Sequence, residues 1–205
     1  MKKIIALLFA VCIVFSLCAC GSSSGPASPA PDAPGANAGS GGKLTFTTGG
    51  SAGTYYAYGS VLAQYVSTNS DLDVTAITGN GSQSNVNDLD AKAVDLAFCQ
   101  SDVMSYAYSG TNLFAESGAI TSFSVVADLY LEQVQIVTTN PDIKTVDDLR
   151  GKIVSIGAIG SGVYFNALDV LGVYGITVDD ITPVYQSFGD SAESLKDGKI
   201  DAGFI

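Results

Sequence analysis

The chain has no histidine. Its absence removes the base that activates a serine or cysteine nucleophile, and no metal-ligand cluster or catalytic pair of carboxylates takes its place. No catalytic residue, no metal and no cofactor are expected, and an enzyme is not the expected reading. Arginine occurs once, as Arg150 in Asp147-Asp148-Leu149-Arg150-Gly151-Lys152, which reads as a solvent-facing turn. A buried bidentate arginine clamp on a carboxylate is therefore not expected from this chain. An anionic ligand would have to rely on backbone N–H groups, hydroxyls or residues beyond Ile205. Positive charge is scarce throughout, with nine basic against twenty acidic residues and a net charge of −11. Nucleic acid is a poor partner for such a surface, and no polybasic patch invites anionic lipid. Solubility outside the cell accounts for the acidity.

Cysteine is nearly missing from the part expected to fold. Cys12, Cys18 and Cys20 lie at the N-terminus, which leaves Cys99 alone; one cysteine makes no internal bridge. Cys99 follows the apolar run Leu96-Ala97-Phe98 and reads as a small buried residue rather than a nucleophile. The N-terminus itself reads as a secretion signal over residues 1–19. Lys2 and Lys3 precede an apolar run from Ile4 to Leu17 that is too short to span a bilayer comfortably. The run ends in Leu17-Cys18-Ala19-Cys20-Gly21, which resembles a bacterial lipobox, so Cys20 is the expected lipidation site. Cleavage there would take Lys2 and Lys3 away and leave a net charge of −13. From Cys20 to Gly42 the chain is mostly Gly, Ser, Ala and Pro, a flexible tether with nothing to bury.

Beyond Gly42 the chain carries one phrase written twice, about 107 residues apart. Leu44-Thr45-Phe46-Thr47-Thr48-Gly49-Gly50-Ser51-Ala52-Gly53-Thr54-Tyr55-Tyr56 is echoed by Ile153-Val154-Ser155-Ile156-Gly157-Ala158-Ile159-Gly160-Ser161-Gly162-Val163-Tyr164. Each copy closes on L-x4-[VI]-D-x-[AG]-F, at Leu89 to Phe98 and at Leu195 to Phe204. Strand-helix-strand alternation with short turns implies parallel strands and right-handed crossovers. Strands are expected at Lys43–Thr48, Leu72–Thr78, Asp95–Cys99, Phe123–Tyr130, Val134–Thr139, Lys152–Ile156 and Ile181–Tyr185. Helices are expected from about Gly53 to Thr68, Gln83 to Ala91, Val146 to Leu149 and Ser161 to Tyr174, with a last one through Leu195. Tyr58, Val61, Leu62, Tyr65 and Val66 form the expected apolar face of the first long helix. Ser82 or Ser84 is the expected cap of the second, and Asp190 with Glu193 has capping-box spacing for the last. The expectation is an α/β protein of two lobes, residues 43–138 and 139–205, facing each other across a cleft. Because the second copy stops before the counterpart of Cys99-Gln100-Ser101-Asp102, it reads as incomplete.

Ligands of open α/β sheets sit outside the carboxyl ends of the strands, where both glycine turns fall. Glycine lets the backbone approach a bound group, and the helix start behind it offers unpaired N–H donors. The alternative is that these glycines merely permit tight turns. Neither turn is a nucleotide motif, since no Gly-Lys-Ser/Thr comes after it and Gly157-x-x-Gly160-x-Gly162 is not G-x-G-x-x-G. Thr54 and Ser161 add hydroxyls, Tyr55 and Tyr56 an aromatic wall. Gln100, Ser101 and Asp102 stand at another strand end, where helix capping by Ser101 or Asp102 is the competing role. Asn80 and Ser82 are weaker candidates, and Tyr130 reads as a hinge-side or cleft residue, with core packing as the alternative. Asp95 and Asp201 read as structural, at the far end of the strands from the cleft.

Thr47 to Tyr56 resembles the T-G-G-x-x-G-T-Y-Y opening of the TAXI family, the extracytoplasmic solute receptors of TRAP (tripartite ATP-independent periplasmic) transporters. Val94-Asp95-Leu96-Ala97-Phe98-Cys99-Gln100-Ser101-Asp102 is similar to that family's A-D-L-A-x-x-Q-x-D stretch. Asp147 to Lys152, Gly157 to Gly162 and Leu195 to Ala202 resemble further family segments, so the likeness covers nearly all of Lys43 to Ile205. Ala57-Tyr58 and Ile159 depart from it where proline is usual. The resemblance implies a type II periplasmic-binding-protein fold with a hinge. It also implies capture of a small organic solute, a carboxylate or amino acid, for a TRAP membrane permease driven by an ion gradient. On it rest the expected ligand-binding residues Gly50, Ser51, Thr54, Tyr55, Gln100, Ser101, Ser161 and Gly162. The binding lipoprotein of an ATP-driven (ABC) importer and a ligand-sensing lipoprotein remain the alternatives.

Overall fold

The computed structural model describes residues 42–205. The secretion signal, Cys20 and the tether as far as residue 41 lie outside the described residues. The first α/β unit runs β1 (Lys43–Thr47), α1 (Thr54–Asn69), β2 (Asp73–Ile77), α2 (Ser82–Asp90), β3 (Leu96–Ala97) and α3 (Ser101–Ser109). Its three strands are parallel in the order β2-β1-β3, with Phe46 opposite Ala76 and Leu96. Parallel neighbours need a crossover, and the helices provide it. The second unit contains β4 (Ile136–Thr138), β5 (Ile153–Ser155), α4 (Gly162–Val173), β6 (Thr182–Val184), α5 (Phe188–Lys196) and β7 (Ala202–Phe204). Its sheet is ordered β4-β7-β5-β6; β5 runs parallel to both neighbours and β4 antiparallel to β7.

The doubled phrase is a doubled topology. In each unit the first strand of the phrase is central, flanked by the strand after the first helix and the strand that closes the phrase. The two aspartates make the same reciprocal pair. Asp95 donates its N–H to the Thr45 carbonyl and its carboxylate accepts the Thr45 N–H at 2.8 Å. Asp201 does the same with Ile153, also at 2.8 Å on the carboxylate. Both lie at the strand ends remote from the glycine turns, so their role is to lock register.

Three apolar clusters hold the chain. Phe46, Ala63, Val74 and Phe98 form the core of the first sheet. Leu149, Val154, Ile156, Leu171, Ala202 and Phe204 belong to that of the second. A third cluster joins the units: Phe165 of α4 is buried among Val86, Val103, Ala107 and Phe114 of the first unit.

Several expectations need correction. The buried side of α1 is Gly59 and Ala63 with Leu62 and Val66 beside them, while Val61 and Tyr65 are each 66% exposed. The small residues Gly59 and Ala63 let that side of the helix approach the sheet, which turns Val61 and Tyr65 to solvent. Phe123–Tyr130 forms no strand: Val125 and Val126 are adjacent and both exposed, so no face is buried to fix a register. The stretch Val134–Thr139 does contain a strand, β4, and it pairs within the second sheet. Ser82 and Ser84 do not cap α2, whose N-cap is Gly81. Asp190 is not the cap of α5 but its third residue; Ser187 is the cap, accepting the Asp190 N–H at 3.2 Å and donating to its carboxylate at 2.7 Å. Ser101 and Asp102 lie inside α3, which is preceded by Gln100 with no side-chain cap.

Candidate functional site

Both glycine turns lie at carboxyl ends of central strands, and the two units meet there. Gly49 to Gly53 leads from β1 into α1; Gly157 to Ser161 leads from β5 into α4, where Ser161 caps the helix by accepting the Tyr164 N–H at 3.3 Å. Close contacts run from one unit to the other on both sides of the gap. On one side the Ser84 N–H donates to the Gly160 carbonyl at 3.1 Å, and a Cβ at Gly81 would come within 3.1 Å of the Ser161 Cα. Gly81 also has φ +106°, a backbone region that favours glycine. On the other side a Cβ at Gly53 would lie 3.4 Å from the Phe188 ring, and one at Gly189 would lie 3.5 Å from the Ala52 Cβ.

Between these seams is a cavity of about 330 Å³. Four strand-end loops line it: Gly50 to Gly53 after β1, Gly79 and Asn80 after β2, Gly157, Ala158, Ser161 and Val163 after β5, and Gln186 to Asp190 after β6. Three helices, α1, α4 and α5, begin at its wall, and the first-turn N–H groups of a helix have no partner within it. No lysine or arginine contributes to the lining, and its one charged side chain, Asp190, is engaged by the Ser187 hydroxyl. The surface therefore offers main-chain donors, hydroxyls and amides, with one aromatic wall at Phe188.

The expected site residues separate into two groups. Gly50, Ser51 and Ser161 line the cavity, and Gly162 adjoins it, packed against Gln100 and Ser82. Thr54, Tyr55, Gln100 and Ser101 are not part of its lining. Tyr55 stacks on Phe98 at 4.8 Å between ring centres and belongs to the edge of the first core. Thr54 and Ser101 are exposed at the starts of α1 and α3. Gln100 bridges the units instead: its Nε2 donates to Asn166 Oδ1 at 2.7 Å, and Asn166 Nδ2 donates to Asp102 at 2.9 Å. The Tyr106 hydroxyl adds a bond to Asp169 at 3.1 Å.

Beside Tyr55 lies an acidic region. Glu132 is exposed at its surface, yet the burial of part of its side chain raises it above its ordinary value of 4.5, and the neighbouring Tyr55 and Tyr130 hydroxyls oppose that shift. Burial, and next the Glu132 charge, raises both tyrosines. Cys99 is pushed up to about 12, by burial first and Asp102 second, so its thiol is inert near neutral pH. Arg150 sits far from this chemistry, with its guanidinium on the carbonyls of Tyr174 and Gly175 at the end of α4.

Sequence reasoning missed the loop Gln186–Asp190 as a lining segment. Its signal was present in the repeat: β6 is the counterpart of β2, so Gln186-Ser187 occupies the place of the Asn80 turn. Among the described residues no helix is long and apolar enough to cross a membrane.

Among solved structures, the chain is similar to the alkanesulfonate-binding protein SsuA from Xanthomonas axonopodis pv. citri, at 21% identity and TM-score 0.50, over 80% of this chain and 54% of that one. A protein from Bordetella bronchiseptica RB50 is similar at 17% identity and TM-score 0.57, over 79% of this chain and 50% of the other. A marine-metagenome TRAP solute binding protein specific for aromatic acid ligands is similar at 17% identity and TM-score 0.48, with 80% and 57% covered. The chain spans about half the length of these structures. Its α/β architecture is periplasmic-binding-protein-like. Residues 46–205 match the model of the NMT1-like family. That match runs from within β1 to the last residue, through both glycine turns and both α/β units, and the chain belongs to the NMT1-like family.

Proposed function

We propose that this chain acts outside the cytoplasm as a non-enzymatic solute receptor of the TAXI type, presenting a small organic solute to the membrane subunits of a TRAP transporter. The observation that carries the reading is the cavity of about 330 Å³ between two α/β units, walled by strand-end loops from both. Its volume falls at the small end of the range for ligand pockets. The lining offers donors without a cation, which suits a carboxylate or amino acid met by helix starts and amides. The Gly-Gly-x-x-Gly-Thr-Tyr-Tyr phrase over Gly49 to Tyr56 supports the TAXI assignment. Cys20 would hold the receptor at the outer face of the cell membrane through lipid.

A solute touching both units favours the closed arrangement over an open one by the contacts that only closure provides. The likeness to an alkanesulfonate-binding protein favours a second reading, in which the cavity takes a sulfonate and the receptor serves an ATP-driven importer. A thermal-shift screen of the full chain against carboxylates, amino acids and sulfonates tests both. A raised melting temperature with a member of one class selects the solute class, and no response to any compound overturns solute capture. Uptake by vesicles carrying TRAP membrane subunits, measured with and without the receptor, tests the partner; uptake that ignores the receptor sinks that assignment.

A further inference from the structure

Gln186 stands at the end of β6 on the wall of the cavity. Its Nε2 is screened from solvent and has no hydrogen-bond partner, the one such side-chain nitrogen or oxygen among the described residues. The Oε1 end is tied to α5, accepting from the Ser194 hydroxyl at 3.4 Å, so the donor end is left over. Other buried polar side chains of this fold are paired: Asn85 bonds through both ends of its amide, and Ser155 and Ser191 bond each other at 2.8 Å. A buried donor without an acceptor costs the desolvation of its N–H and returns nothing, so an unpaired amide at a cavity wall calls for an acceptor from the cavity.

We propose that Gln186 is a specificity-determining residue, its Nε2 donating to a carboxylate or sulfonate oxygen of the solute held in the cavity. The inference rests on the cavity being the solute site. Nε2 reaches the solute by a turn of the amide about the last side-chain torsion of glutamine, which is soft. Asp190 lies on the same loop, so an anionic oxygen on that side needs a donor beside it to offset the like charge. Ser187 cannot take the role, because its hydroxyl already donates to Asp190.

The test uses the full chain, its Gln186→Met and Gln186→Glu variants, and two probes, benzoate and ethanesulfonate. Melting temperature without probe and affinity by calorimetry are measured for each. The expected result is that Gln186→Met melts at or above the original protein when no probe is present, since an unpaired donor has been removed. The same variant binds the better probe at least tenfold more weakly, and Gln186→Glu binds more weakly still. A lowered probe-free melting temperature in Gln186→Met marks a structural residue and overturns the inference. So does unchanged affinity in either variant while the original protein binds. If the original protein binds neither probe, the anion-binding reading of the cavity falls, and the inference falls with it.

Discussion

Asn85 is fully buried, and its Nδ2 donates to the carbonyls of Thr48 at 2.7 Å and Phe98 at 2.8 Å while its Oδ1 accepts from the Thr47 hydroxyl at 3.2 Å. One side chain thus ties the carboxyl ends of β1 and β3 and sets where the first glycine turn begins. Replacing it by leucine leaves two buried carbonyls short of a donor, at about 1–3 kcal/mol for each unpaired group. Asn85→Leu is expected to lower unfolding free energy by about 2–4 kcal/mol in urea denaturation; a loss under about half a kilocalorie would show that the carbonyls find other donors. Glu132 gives a pH dependence of definite sign. Its folded-state pKa lies above the ordinary value of 4.5, chiefly through burial. The folded state therefore holds the proton more tightly, and stability is lost as pH rises from 4.5 through the raised value. Glu132→Gln should melt higher than the original protein at pH 7, with the advantage shrinking as pH falls through the raised value and gone below 4.5. Melting curves across that interval check it, and an advantage that grows toward acid pH would contradict the sign. None of this was visible at 132 from sequence, because a carboxylate's surroundings are assembled from distant segments.

Helix α1 meets its sheet at Gly59. A Cβ there would come within 2.7 Å of the Thr48 Cγ2 and 2.9 Å of the Phe98 ring, so the helix lies as close as backbone allows. Alanine is the better helix former by about 1 kcal/mol, yet Gly59→Ala is expected to shift the urea midpoint downward, because the added methyl must displace the helix or both neighbours. A rise in midpoint would mean that the sheet yields at little cost. Most elements were legible in the sequence, β1, β2, α2, α4 and β6 among them, because strand alternation, glycine punctuation and helical spacing act within a dozen residues. The face of α1 was not. Periodicity pointed to Val61 and Tyr65, but what decides burial is which side can approach the sheet, and that is the side with Gly59 and Ala63. The cap of α5 was misplaced by three residues for a related reason: Ser187-x-x-Asp190 and Asp190-x-x-Glu193 both have the spacing, and only the strand end before Ser187 selects between them.

The two units are joined by more than the loops around the cavity. Phe165 is buried in the first unit's apolar cluster with Tyr106 and Phe114 against its ring, and the Gln100–Asn166–Asp102 chain runs beside it. Contacts of this kind stand apart from the cavity, so they join the two units without any contribution from a solute. Gly162 sits at the tightest point of that seam, where a Cβ would lie 2.8 Å from the Ser82 hydroxyl and would overlap the Gln100 amide. Gly162→Leu should therefore wedge the units apart. The expected outcome is an increased radius of gyration by small-angle scattering, with helix content by circular dichroism retained and loss of any thermal-shift response. An unchanged radius would show that Gln100 simply turns aside. The sequence by itself determined the pair of α/β units, the parallel strands, the structural character of Asp95 and Asp201 and the place of the glycine turns, since these arise from local pattern and its repetition. Only the tertiary structure decided which loops face the cavity. Gly50, Ser51 and Ser161 line it, Gln186 joins them, and Tyr55 and Gln100 turn to the core edge and the seam. The physical reason is that the orientation of a side chain at a strand end depends on how two separately folded sheets dock, and docking is governed by apolar and steric fits, such as Phe165 and Gly162, that no local pattern encodes.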